Sequence, residues 1–169
     1  TMYAKELLKC GTPEDFADAA PIFEGMYRAG ASEETICVLA RYYRQSNDGN
    51  HFFSIALKNV AENSFSEVCC ELGFYYQDQK DYEEAILWFR KAVYEAHPVL
   101  DIETGGCIPL HALADCYEKW ADSKEEALNA LPPAARLKLT ADTECIADCR
   151  MQAAIFKKQA MEWTLPETL

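Results

Sequence analysis

A short signature recurs along this chain at a spacing that strongly favours a stack of helices. Leu72, Gly73 and Tyr76 have counterparts in Leu39, Ala40 and Tyr43, 33 residues upstream. Leu113, Ala114 and Tyr117 repeat the pattern 41 residues downstream. Around each copy apolar residues return every three or four positions, the period of one helix face. The small residue lets two helices approach closely, and the aromatic fills the space between them. A period of this length marks supersecondary units that bury their faces only on one another.

Start and stop signals divide the chain consistently with that period. Thr12-Pro13-Glu14-Asp15 opens a helix with an N-cap, a first-turn proline and acids at the positive end of the dipole, and Gly30 closes it. Ser32-Glu33-Glu34 opens the next and Asn47-Asp48-Gly49 breaks it, with a partner helix from about His51 to Glu62. Ser66 opens a helix running to about Asp78. Asp81 with Glu84 resembles a capping box for one that ends near Ala96, before Pro98. After a loop from Asp101 to Cys107, the pattern predicts a helix from Ile108 to Ala121. A shorter helix capped by Ser123 and Glu126 is expected next, stopped by Pro132-Pro133, and a last one from Ala141 to Trp163. No segment reads as a strand.

Composition narrows the function. Half of the residues are hydrophobic, so the chain can build a core, while 7 Gly and 7 Pro are few for an all-β protein. Asp and Glu number 28 against 16 Lys and Arg, a formal charge of -12. Such a surface repels phosphate backbones and anionic headgroups, so neither nucleic acid nor a membrane surface is an expected partner. No apolar run of membrane-spanning length occurs. The start, Thr1-Met2-Tyr3-Ala4-Lys5-Glu6, lacks a secretory pattern and enters an amphipathic helix at once, as expected of a piece of a longer protein. Most of the 8 Cys fall in apolar helical stretches, which predicts reduced thiols and a cytoplasmic setting, with no cofactor.

Leu72-Gly73, Tyr76, Ala85, Phe89 and Ala92 resemble the tetratricopeptide repeat at every spacing, with Cys69 where Trp is commonest and Pro98 one residue late. The resemblance implies an all-α solenoid of three to four antiparallel helix pairs plus a C-terminal capping helix. The expected repeats are 2–30 (degenerate, with a lengthened turn), 32–63, 66–98 and 107–134, the last with Ala127, Leu131 and Ala134. A terminal helix over 141–163 and a frayed tail over 164–169 complete the domain. Against the repeat's usual period of about 34 residues, the spacing of 41 leaves seven extra, the length of the Asp101–Cys107 insertion. Glu67-Val68-Cys69-Cys70-Glu71-Leu72-Gly73, then Tyr82 to Phe89, then Ile108-Pro109-Leu110 and Leu113 to Tyr117, are similar to the C-terminal repeat region of bacterial family 2 glycosyltransferases. That resemblance covers about Met2 to Ala130. It implies a non-catalytic module that recognises a peptide or protein acceptor or holds a homodimer together, with the sugar-transferring domain upstream. A stand-alone adaptor for an unrelated peptide is the alternative.

The tetratricopeptide resemblance also implies that the first helix of each pair lines a groove. The candidate peptide-binding residues are Lys5, Lys9, Arg41, Arg44, Phe74, Gln77, Asp78, His111, Asp115 and Glu118, with Cys37, Glu67, Cys70 and Lys119 at neighbouring groove positions. Read together they form a gradient, basic at Lys5, Lys9, Arg41 and Arg44 and acidic at Asp78, Asp115 and Glu118, able to orient an extended ligand. The plainer alternative is a set of solvated charges. The Lys and Asn clamp of chaperone-binding repeats is not reproduced. Cys145 and Cys149 share a helix face, but no second ligand pair accompanies them, so no metal is expected. Cys107, His111 and Asp115 also share a face, yet a helix face supplies no oxyanion hole, and no catalytic residue is assigned. The tail Leu165-Pro166-Glu167-Thr168-Leu169 is similar to a sortase sorting signal, with Leu in place of its Gly.

Overall fold

The computed structural model describes residues 2–30, 32–136 and 140–164. In chain order they form α1 (Met2–Cys10), α2 (Pro13–Gly30), α3 (Glu33–Gln45), α4 (Gly49–Glu62), α5 (Ser66–Asp78) and α6 (Tyr82–Tyr94). A 3-10 turn (Ile102–Gly105) precedes α7 (Cys107–Asn129), α8 (Pro133–Arg136) and α9 (Thr140–Glu162). Among the described residues the only strand-like pairing is an isolated bridge between Phe65 and His97. The architecture is thus the all-α helical repeat that the period predicts. Residues 165–169, with the expected sorting-like tail, lie outside the described residues.

The caps form where local chemistry places them. Thr12 Oγ1 accepts from the Asp15 N–H and Asp15 returns the bond to the Thr12 N–H, a reciprocal box that starts α2. Ser32, Asp48 and Asp81 accept from the N–H groups of Thr35, His51 and Glu84. Asn47 and Lys80, just before the two Asp caps and 33 residues apart, both take positive φ, 58° and 60°. The two turns are therefore copies of one another.

Packing pairs α3 with α4, α5 with α6 and α7 with α9, while α1 and α2 both pack chiefly on α3. Phe16, Val38, Leu39, Phe52, Phe65, Val68 and Leu72 make the N-terminal part of the core, with Ala85, Phe89, Leu113, Cys116 and Phe156 continuing it. Gly73 marks the closest approach within α5/α6: a Cβ there would stand 2.6 Å from the Phe89 ring. That contact explains the small residue of the signature.

Three expectations are corrected. The lengthened turn of the first repeat does not exist, because only Gly11 and Thr12 separate α1 from α2; the extra residues lengthen α2, which continues through Pro21. The break at Ser123 is also absent, and α7 runs unbroken to Asn129. Ser and Glu are tolerated inside a helix, and tertiary packing keeps this one going. Arg150 of α9 reaches Glu118, Asp122 and Glu125, three carboxylates on one face of α7, so they are held as a single helical surface. Ala127, Leu131 and Ala134 are exposed and pair with nothing like a second helix. Its place is taken by α9, which runs antiparallel to α7. Tyr117 stacks on Phe156 at 5.8 Å and 9°, and the Trp163 indole sits where a Cβ of Gly106 would be. The last helix closes the stack by packing along α7.

Candidate functional site

The first helices α1, α3 and α5 lie side by side, and α7 joins the row where Gln77 Nε2 donates to Asp115 Oδ2 at 2.8 Å. This row carries every candidate binding residue. What it presents differs from a bare helical groove, because the segment between α6 and α7 folds back across it.

That segment, residues 97–106, is held as a strap. His97 receives the Ser66 N–H at 2.8 Å and gives its own N–H to Ser64, while Ser66 Oγ donates to the Ala92 carbonyl. Glu67, expected to line an open groove, is 1% exposed. Its carboxylate accepts the backbone N–H groups of Val99, Leu100 and Asp101 at 3.0, 2.5 and 3.0 Å. Three donors on one carboxylate compensate the cost of burying its charge. Val99 and Leu100 pack on the core, and Cys70 Sγ donates to the Thr104 carbonyl at 3.2 Å. Cys37 and Cys70 are therefore buried rather than groove-lining. Burial, reinforced by Glu67 and Glu71 at Cys37 and by Glu71 at Cys70, pushes both thiols well above the ordinary range, so neither is a ready nucleophile.

Two of the expected basic groups are engaged inside the protein. Arg41 Nε and Arg44 Nε both donate to Glu71, at 2.6 and 2.5 Å, and Glu71 is 1% exposed. Arg41 also donates to the Leu8 carbonyl near the end of α1, and Arg44 reaches Asp78 at 3.5 Å. Their guanidinium groups stand over Phe16 and Phe74. Burial pulls the Glu71 carboxyl upward, but the two arginines outweigh it and hold it below the ordinary value. This buried triad ties α1, α3 and α5 together. Sequence reasoning missed Glu71, although a second carboxylate four residues after Glu67 inside an apolar stretch was the available signal.

The remaining candidates divide into two places. Asp115 pairs with Lys119 at 2.9 Å beside Gln77, Glu118 is turned towards Arg150, and His111 is exposed on the same helix. Lys5 and Lys9 instead line a cleft of about 500 Å³ whose other wall is the strap: Pro98, Val99, Leu100, Asp101, Ile102 and Glu103. Asp115 thus bridges Gln77 of α5 and Lys119 of its own helix at the surface. The Cys107 thiol is pushed up by burial and by Glu103 and Asp101, so the Cys107, His111 and Asp115 face lacks the activation a nucleophile requires. Burial and neighbouring Cys145 push Cys149 up to about 11. Among the described residues no three His, Cys, Asp or Glu groups converge on a metal position.

Residues 66–96 match the tetratricopeptide repeat. That stretch is the α5/α6 pair with the two residues that follow it, and the signature at Leu39 recurs in α3, the first helix of the α3/α4 pair. A tetratricopeptide pair within an all-α repeat supports a protein–protein interaction module, a fold whose use is generally non-catalytic. No described helix is long and apolar enough to cross a membrane. No curated protein and no solved structure matches the chain.

Proposed function

We propose that the chain is a peptide- or protein-binding module that uses the face formed by α1, α3, α5, α7 and the strap. The observation that carries this reading is the tetratricopeptide match on α5/α6, a pair whose first helix sits in the middle of that face. Phe74, Gln77, Asp78, His111 and Asp115 are its binding residues towards α7, and Lys5 and Lys9 towards α1. Within the resemblance to family 2 glycosyltransferases, the module serves acceptor recognition or dimerisation for a sugar-transferring domain encoded upstream, in the cytoplasm.

Photo-cross-linking tests the face. A cross-linking residue at Gln77 or His111 is expected to capture the partner, whereas one at exposed Leu57 or Leu87, on the second helices, is not. Capture from Leu57 and Leu87 alone would move the site to the opposite side and end this reading. The size of the native polypeptide tests the finer proposal. A band well above 19.1 kDa on a blot supports a catalytic part upstream, and a band at that mass leaves a stand-alone adaptor.

A further inference from the structure

We propose that the cleft between α1 and the strap is where the partner is read. We further propose that it takes an extended peptide in which an apolar side chain lies between an acidic and a basic one. This deepens the interaction-module reading and rests on it.

The walls supply the chemistry. Lys5 and Lys9 stand one helical turn apart on α1, both exposed at the cleft. Neither enters an ion pair among the described residues, whereas Arg41, Arg44, Lys119 and Arg150 all do. Opposite them stand Glu103 and Asp101, the latter with Oδ1 already accepting the Glu103 N–H. The same strap wall also carries Pro98, Val99, Leu100 and Ile102. A volume of about 500 Å³ suits one or two apolar side chains and falls within the range of ligand clefts.

The strap makes this cleft a prepared surface. Its backbone is pinned by the buried Glu67 carboxylate and by Cys70, so a ligand meets a wall already ordered, and less conformational entropy is lost on binding. Charge selects the ligand further. A uniformly acidic peptide is disfavoured by the protein's formal charge of -12, and a uniformly basic one by Lys5 and Lys9. In an extended chain the neighbours on either side of a residue point together away from it, so an apolar side chain set into the cleft leaves its acidic and basic flanks at the mouth, beside the lysines and the strap carboxylates.

The test is a fluorescein-labelled peptide with a Glu-Leu-Lys core in a Gly-Ser frame, titrated into the full chain by fluorescence anisotropy. Reversing both lysines, Lys5→Glu with Lys9→Glu, is expected to weaken binding about ten-fold. A Gln-Leu-Gln core should not distinguish the two proteins. Both lysines are exposed, and a circular dichroism melt verifies that the variant remains folded. Absence of binding to the unaltered chain, or equal affinity for the variant, overturns the proposal. If the probe fails while the natural partner still cross-links at Gln77 or His111, the cleft falls and the module reading stands. If cross-links arise only from Leu57 and Leu87, both fall.

Discussion

Glu71 shows how a single side chain is both a liability and a tie. Alone, a carboxylate at 1% exposure would be strongly unfavourable, but Arg41 and Arg44 reach it from α3 and turn its burial into a link between helices. Because its folded pKa lies below the ordinary value of 4.5, its charged form contributes stability in full above that value. The contribution is lost as pH falls from there through the lower folded pKa. Glu71→Gln should therefore destabilise at pH 7 by about 3 kcal/mol. The gap to the unaltered chain should narrow in acid; chemical denaturation at several pH values measures it, and a pH-independent gap would contradict the assignment. Lys80 offers the opposite case, a residue whose φ of 60° favours glycine. Lys80→Gly should raise stability by about 1 kcal/mol in urea unfolding, since relief of left-handed strain outweighs the added freedom of the unfolded chain. The same change at Asn47 should gain less, because Asn tolerates that region.

The strap and α7 are the elements where local signals were incomplete. The insertion was visible as seven extra residues of spacing, but nothing within it announces that three of its N–H groups meet one carboxylate more than thirty residues upstream. Glu67 was legible only as a groove position, whereas it is buried beneath the strap. Glu67→Gln leaves one amide oxygen for three donors, so the strap should loosen without the repeat unfolding. Hydrogen exchange at Val99, Leu100 and Asp101 is expected to accelerate about ten-fold or more, with α6 amides unchanged. Uniform acceleration along the chain would instead mean that Glu67 supports the whole fold. In α7 the capping box at Ser123 and Glu126 is a valid local motif that tertiary contacts override, since Arg150 binds the adjacent carboxylates as one helical face.

At the scale of the molecule, each helix pair buries its apolar face largely on its neighbours, so stability accumulates from nearest-neighbour contacts along the stack. The end of the stack is therefore decided by what covers α7. Phe156 does so, stacked on Tyr117 with the Arg90 guanidinium 5.5 Å from its ring centre. Phe156→Ala should cost about 3–5 kcal/mol in denaturant unfolding. A cost under about 1 kcal/mol would show that α9 is dispensable to the core. The candidate site depends on this scale too, because its residues come from four separate helices and a strap. Arg41 and Arg44 both lie on α3, but their engagement by Glu71 belongs to the packed molecule.

The helical class, the repeating signature, the caps at Thr12, Ser32 and Asp81, and the close approach at Gly73 were all legible in the chain before any packing was known. Each of these rests on side chains within a turn of one another or on a period that copies itself. It took the packed molecule to show that the insertion lies across the first-helix row, that Glu71 gathers two arginines, and that α9 replaces the expected partner of α7. Those outcomes depend on pairs about thirty residues apart or more, whose energies arise from burial and desolvation once the helices have met, and no local pattern encodes that meeting.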